Sequence, residues 1–427
     1  MRFDEALDYL LSLGHETLSI KLGLANTETL LESLGNPHED FRAVQIAGTN
    51  GKGSTAAFLE SICRHAGIRT GLFTSPHLIS ITERIRIEGQ QISEDEFARH
   101  TTTVKETAGR LVEQAQLQTL PTFFEHITAI ALLAFREASV EVAILETGLG
   151  GRLDSTTAAQ AEVVAITPIA MDHEEYLGHS LLEIAAEKAA IIRRGVIAIV
   201  AEQADDARAV IVKRSQSVGV TPRFVTPQLA AGNTLSLRGR HQTANAGTAI
   251  ALAEALRGIG FSISNEAILK GLATTNHPGR LELWPVEPPI LFDGAHNPQA
   301  AHALRDYLDE FVKVPITMIF GAMRDKALAE IAAILFPAAH ELILTEIENP
   351  RTASLEMIRR AMPEDFRGRL RCAVSVDDAW RQAIAVTPAN GLICVTGSLY
   401  LVGAAQSSAV IIKASAGARD RNPTGVR

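Results

Sequence analysis

"AGTNGKGST" (residues 47–55) joins an apolar run, "FRAVQI" (41–46), to a helix-like run, "TAAFLESICRHAG" (55–67). A glycine-rich turn between strand and helix lets consecutive backbone N–H groups point at one anion, and the helix N-terminus adds partial positive charge. The widespread nucleoside-triphosphate loop reads G-x-x-x-x-G-K-[ST]. In this chain Ile46 stands at its first glycine position, and Gly53 stands where the hydroxyl after Lys52 belongs. The chemical requirements are still met. Gly48, Gly51 and Gly53 free the backbone, Lys52 is placed for terminal phosphates, and Ser54 and Thr55 carry hydroxyls one place later. The stretch is therefore read as a phosphate loop with a displaced hydroxyl, leading into a helix from about Ser54. The competing reading, a plain strand-to-helix turn, does not explain a lysine flanked by two glycines.

The same alternation continues outward. "VEVAILETG" (140–148), "AEVVAITPI" (161–169) and "GVIAIVAE" (195–202) are short Val/Ile-rich runs separated by helical patterns. Such runs predict buried parallel strands with crossover helices. "LLEIAAEKAAIIRRG" (181–195) predicts a helix that closes at Gly195. A second series follows: "PILFDGAHN" (289–297), "PITMIFGAM" (315–323), "HELILTEI" (340–347), "RCAVSV" (371–376) and "GLICVTGS" (391–398), with "PQAAHALRDYLDEF" (298–311) as one of its helices. Between the two series, "WPVEPP" (284–289) is dense in proline and reads as a linker. The expected architecture is α/β. A P-loop-type ATPase domain with a parallel-rich sheet fills residues 1–286, and a smaller Rossmann-like α/β domain fills 287–410. A frayed tail is expected over 411–427, where apolar periodicity stops.

A chain of 427 residues is long enough for two or three domains. Its net charge of -9 gives no global positive field for nucleic acid or an anionic membrane, so an anionic ligand needs a local site. The three cysteines, Cys63, Cys372 and Cys394, form no C-x-x-C pair, which argues against a zinc cluster or disulfide framework. The opening "MRFDEALDYLLSLGH" mixes acids with apolar positions and reads as an amphipathic helix rather than a signal peptide. No apolar run reaches a membrane span. A cytoplasmic protein is expected.

Other stretches carry chemistry. Glu146 ends an apolar strand and opens the glycine-rich "TGLGGRLDST", the place where phosphate-loop enzymes keep a magnesium-binding acid. His173 in "TPIAMDHEEYLG" follows the next strand, near the end where open α/β sheets bind ligands. By itself it reads as a solvated or capping residue. Lys188 sits on an otherwise apolar helix face. Snorkelling is the ordinary reading there, and a buried, carbon dioxide-reactive amine is the other. Arg280 precedes the proline-rich stretch. Asp293, His296 and Asn297 in "DGAHNP" are open to two readings, turn and cap chemistry or a second site at a strand's C-terminal end. Two sites flanking one linker point to a cleft completed by domain closure.

These motifs, in this order, resemble the folylpolyglutamate synthases and bifunctional dihydrofolate synthase–folylpolyglutamate synthases of the Mur ligase superfamily. The resemblance runs from about residue 5 to 405 and includes "SPHL" (75–78), "GLGGRLDST" (148–156), "HQTANA" (241–246) and "VTGSLYLVG" (395–403). It implies an ATP-dependent amide ligase. A folate or dihydropteroate carboxylate attacks the γ-phosphoryl group, and the amine of L-glutamate displaces phosphate from the acyl phosphate. Lys52, Lys188 and His296 are the implied catalytic residues. Asn50, Gly51, Lys52, Gly53 and Ser54 would hold phosphates, with Asn245, Arg280 and Asp293 also contacting ATP. Ser75, Glu146 and His173 match magnesium ligands. Thr122, Phe123, Phe124 and Glu125, with Arg152, Leu153 and Asp154, fall where the family binds the pterin-bearing acid. His296 and Ser398 look like glutamate contacts. The resemblance further implies a carbamylated Lys188. A monovalent cation and a monomer are also expected, and the net charge gives no expectation of a nucleic-acid or membrane partner. One departure is "DSTT", with Thr157 where many relatives have asparagine, which bears on a loop contact.

Mur peptidoglycan ligases share fold and reaction but lack "SPHL" and this loop, so they rank second. A GTP switch would carry N-K-x-D, which is absent. A dinucleotide oxidoreductase would continue Gly148 and Gly150 with a third glycine, where Leu153 stands.

Overall fold

The computed structural model describes residues 1–14 and 23–408; the tail expected over 411–427 lies outside them. The described chain forms two compact units. The first comprises Met1–Pro76, Ile81–Ser236 and Gln242–Thr275. The second comprises His77–Ser80, Leu237–His241 and the chain from Asn276 on.

The first unit is built on an eight-stranded sheet. Its strands are β1 (Arg42–Ala47), β2 (Thr70–Phe73), β3 (Ile85–Ile87), β4 (Gln90–Gln91), β5 (Val142–Glu146), β6 (Val163–Ile166), β7 (Ile197–Ala201) and β8 (Arg223–Val225). Their order is β4-β3-β2-β5-β1-β6-β7-β8. All neighbours from β2 to β8 pair in parallel, and the short β3 and β4 add antiparallel pairs at one edge. β5 and β6 are buried at every residue, as parallel strands covered on both faces must be. Helices start where sequence supplies caps. Ser93 and Thr122 each accept from the N–H of a glutamate three residues on, whose carboxylate returns the bond. The helix Lys52–His65 is buried along most of its length and packs against Asn265–Thr274. That close approach depends on Gly271. A Cβ there would stand 2.5 Å from the Ile62 Cα.

The second unit has a six-stranded sheet with strands β9 (Glu282–Trp284), β10 (Ile290–Asp293), β11 (Ile316–Phe320), β12 (Glu341–Thr345), β13 (Arg369–Ala373) and β14 (Leu392–Thr396), in the order β13-β12-β11-β14-β10-β9. All pairs are parallel except β9 with β10. Alternation sorts side chains between two cores. Leu291, Met318, Phe320 and Cys394 face one, while Phe292, Ile319, Ile393 and Val395 face the other.

Two expectations need correction. The proline-rich stretch near residue 286 does not join the units. It connects β9 to β10 inside one sheet, and the long continuous part of the second unit starts earlier, at Asn276. The helix expected to reach Gly195 runs only Leu181–Ala189. Its Glu187 carbonyl accepts the Arg152 N–H at 3.0 Å, which competes with continuation of the helical ladder.

Candidate functional site

In the first unit, β2, β5, β1 and β6 lie side by side and parallel. The segments leaving their C-terminal ends therefore emerge along one sheet edge. They carry Ser75, Glu146, the glycine loop and His173 respectively. Residues separated by over a hundred positions are gathered by strand order alone.

The loop itself is tightly determined. Gly48 and Gly51 have φ of +148° and +86°. A Cβ at Gly48 would meet the Thr167 Oγ1 at 1.9 Å, and one at Gly51 would meet the Asn245 Oδ1 at 2.2 Å. Thr49 and Asn50 both donate backbone N–H to the Pro168 carbonyl, at 3.0 and 3.2 Å. The helix starts at Lys52, two residues before the position read from sequence, and its N-cap Gly51 supplies no side-chain cap. The Lys52 ammonium donates back across the loop to the carbonyls of Gly48 (3.2 Å) and Thr49 (3.1 Å). Buried Ser54 and Thr55 complete the turn, and the Thr55 hydroxyl has no partner in the protein. Uncapped amides, an ammonium and an orphaned buried hydroxyl are a donor set fitted to phosphate oxygens.

Glu146 is buried at the end of β5, directly opposite Ile46 of β1, and accepts the Ser75 N–H at 3.2 Å. These two expected metal ligands are adjacent. His173 has a left-handed backbone (φ +53°) and caps a four-residue helix, with its Nε2 3.9 Å from the Asp172 carboxylate. Among the described residues no three His, Cys, Asp or Glu side chains cluster as metal ligands. A magnesium ion bound through one carboxylate, hydroxyls, waters and substrate phosphates needs no such cluster.

Lys188 does not snorkel. It is 5% exposed, and its Nζ donates to the Gly48 carbonyl at 2.9 Å, on the loop that Lys52 also spans. Burial first, and then the charge of Lys52, push its pKa down to about 7, against the pull of Asp172 and Asp154.

The "TGLGGRLDST" loop is organised from within. Asp154, expected to face substrate, instead turns both carboxylate oxygens onto its own loop. One accepts from the N–H of Gly148 (2.9 Å) and Leu149 (3.0 Å), the other from the N–H (3.0 Å) and hydroxyl of Thr156. Burial pushes its pKa up, opposed by those four donors. Thr157 makes the contact in question at "DSTT". Its hydroxyl donates to the Gly151 carbonyl at 2.7 Å and accepts from Gln45 at 2.7 Å. Arg152 is exposed and paired with Glu187. Glu125 is similarly committed, accepting the Thr122 N–H at 2.7 Å and the Thr27 hydroxyl at 3.1 Å. Phe123 is buried under the Arg84 guanidinium. Phe124 is half-buried, packs on Phe73, and lies where a Gly148 side chain would be, 2.5 Å from its Cβ position. Phe124 and the loop that follows β5 thus meet at Gly148.

In the second unit, Asp293 ends β10 and is 8% exposed. It accepts the N–H of Leu281 and of Ala295, both at 2.9 Å. Burial raises its pKa, and the nearby Arg280 charge opposes that shift. His296 Nδ1 lies 2.8 Å from the Gly294 carbonyl. Asn297 and Ser398 are N-caps of Pro298–Phe311 and Leu399–Ser407, so the capping reading holds for Asn297. Asp293 stands opposite Thr396 of β14, and Ser398 follows two residues later. Asp293, His296 and Ser398 therefore share one end of the second sheet.

Sequence reasoning missed Gln242 and the orphan character of Thr55. Gln242 accepts the Asn245 side-chain N–H at 2.9 Å, and its own amide nitrogen lies 3.4 Å from the Ser54 hydroxyl. The signal was its i, i+3 spacing from Asn245 on one helix face.

Models of two families match the chain: the Mur ligase middle domain over residues 46–221 and the Mur ligase glutamate ligase domain over 279–399. A Halobacterium salinarum protein, described as a probable bifunctional folylpolyglutamate synthase/dihydropteroate synthase, is 36% identical across 95% of this chain and 52% of its own. The chain thus spans about half the length of that relative. A Bacillus subtilis dihydrofolate synthase/folylpolyglutamate synthase is 33% identical across 91% of this chain and 95% of its own. A solved Yersinia pestis folylpolyglutamate synthase/dihydrofolate synthase, complexed with AMPPNP and a Mn ion, superposes with a TM-score of 0.82 at 31% identity, covering 94% of this chain and 97% of that one.

Proposed function

This chain belongs to the dihydrofolate synthase/folylpolyglutamate synthase family of Mur ligases, and we propose that it joins L-glutamate to the carboxylate of a folate or dihydropteroate, using ATP. The observation that carries the reading is the alignment of Ser75, Glu146, the Lys52 loop and His173 on the ends of four adjacent parallel strands. The Yersinia pestis relative binds an ATP analogue and a divalent ion, which supports the same use of this edge.

The substrate carboxylate attacks the γ-phosphorus and ADP leaves, giving an acyl phosphate. The glutamate amine then adds to the acyl carbon and inorganic phosphate departs with the former carboxylate oxygen. Negative charge accumulates on the transferred group in the first step. The uncapped amides at the start of Lys52–His65 and the Lys52 ammonium oppose that charge without reorganising. Glu146, Ser75 and His173 are assigned to Mg2+, which supplies charge neutralisation to the phosphates when bound. Phe124 offers a half-buried aromatic face for a pterin ring beside Gly148, while Asp154 and Glu125 shape the walls. Asn245, Arg280 and Asp293 are assigned to ATP, and His296 and Ser398 to glutamate.

Lys188 is assigned a carbamate. Its depressed pKa leaves a substantial neutral fraction near pH 7, and the neutral amine is the form that adds carbon dioxide. The family resemblance also supports a monovalent cation requirement, read out by replacing potassium with a large organic cation. A monomer is the reading adopted here, checked by the mass of the full chain in solution. Three free cysteines and a described chain with no helix long and apolar enough to cross a membrane are compatible with a cytoplasmic site of action.

The test is ADP release in the presence of Mg2+, glutamate and either dihydropteroate or tetrahydrofolate. The proposal expects release only when both acid and amine are present. Equal release without them would refute the ligase.

A further inference from the structure

We propose that Gln242 is a positioning residue that fixes which way the Ser54 hydroxyl points, and so readies it for a nucleotide phosphate. The inference rests on the reading that the glycine loop holds ATP. Gln242 lies in the first turn of His241–Gly258, 1% exposed, within the same unit as the loop. Two side-chain amides of this helix touch the loop. The Asn245 Oδ1 fills the space where Gly51 would carry a Cβ. The Gln242 Nε2 lies 3.4 Å from the Ser54 Oγ.

The direction of these bonds follows from which end of each amide faces its neighbour. Asn245 Nδ2 has only protons to offer, so at 2.9 Å it takes the Gln242 Oε1 as acceptor. That bond orients the Gln242 amide with its NH2 toward Ser54. An amide nitrogen donates and does not accept. The Ser54 oxygen therefore receives a proton from Gln242 and cannot return its own. One lone pair of Ser54 is occupied, and its O–H is left to donate elsewhere. On a phosphate loop the acceptor that fits is a phosphate oxygen, with the second lone pair still open to a metal. Gly53 stands where other loops place that hydroxyl. A hydroxyl displaced along the helix thus gains an orienting partner from a helix 188 residues away.

Two variants separate the polarity of the bond from its shape. Gln242→Glu keeps the size and the acceptor for Asn245, but its carboxylate draws the Ser54 proton to itself. Gln242→Met keeps the approximate volume and offers neither donor nor acceptor. The full chain is titrated by calorimetry with Mg–AMPPNP, and KM is measured separately for MgATP, acid and glutamate. The expected affinity loss is about 10-fold for Gln242→Met and about 100-fold for Gln242→Glu, set by one neutral hydrogen bond and by a charge-linked reversal respectively. KM for MgATP rises with it, while KM for the acid and for glutamate stay within about two-fold, a split that a purely structural role would not give. Thermal unfolding of the near-isosteric Glu variant guards against misfolding. Mg–AMPPNP affinity within two-fold of wild type in both variants would overturn the inference alone. A wild type that binds no Mg–AMPPNP would overturn the nucleotide reading and this inference together.

Discussion

Replacing Lys188 with methionine should make the protein more stable and less active, and the stability gain should fade as pH rises. The side chain is buried against the glycine loop, with its pKa pushed from 10.5 down to about 7. In the unfolded chain the amine keeps its proton up to its ordinary pKa. Between the two values the unfolded state binds more protons, so wild-type stability rises with pH across that window. Below the folded pKa both states are protonated and the full penalty is felt. At about 1.4 kcal/mol per pH unit, the gap between the two pKa values is a penalty on the order of 5 kcal/mol near pH 6 that falls to about 1 kcal/mol by pH 9.5. The variant also loses the bond to Gly48, worth about 1 kcal/mol. Lys188→Met should therefore exceed wild type by about 3 kcal/mol near pH 7, or roughly 3–6 °C in Tm, and match it near pH 9.5. Thermal unfolding in carbon dioxide-free buffer from pH 6.5 to 9.5 measures this. Added bicarbonate should raise the Tm of the wild type only. A Tm difference that stays constant over the whole range would refute the buried-amine argument.

Lys52→Ala should lower kcat by at least about 10²–10³-fold with little change in Tm, because it removes a preorganised cation and leaves the backbone loop intact. Near wild-type turnover would remove Lys52 from the phosphate site. Glu146→Gln should raise the Mg2+ concentration for half-maximal activity by about 10- to 100-fold, checked by metal titration at saturating ATP. An unchanged titration curve would exclude Glu146 as a ligand. Gly271→Ala forces a methyl group to within 2.5 Å of Ile62 backbone and should cost about 1–3 kcal/mol of stability, read by urea unfolding of the full chain.

The glycine loop and the acid at the end of β5 were legible because each is a local pattern, a turn between strand and helix or a polar residue ending an apolar run. The parallel runs were legible for the same reason. Lys188 was not, since whether an amphipathic lysine reaches solvent depends on what packs over its helix. Here the Gly48 carbonyl draws it inward. The early end of its helix was equally hidden, because the competing donor is the distant Arg152 N–H. The three prolines at 284–289 mark a real break in secondary structure, but sequence does not tell a connection between paired strands from one between units. The commitment of the Asp154 and Glu125 carboxylates to neighbouring donors appears only in three dimensions. Family resemblance supplied Ser75 and Asn245, whose placement depends on strand order and on a helix far along the chain.

The central claim is that a carboxylate oxygen is transferred to phosphate while an amide forms. Turnover of the pterin-bearing acid labelled with 18O in its carboxylate, with unlabelled ATP, Mg2+ and glutamate, tests this directly. Mass spectrometry of the products should show one labelled oxygen in inorganic phosphate for each glutamate added. Unlabelled phosphate accompanying amide formation would contradict the acyl-phosphate route, and labelled acid recovered unchanged beside ADP would contradict the ligase itself.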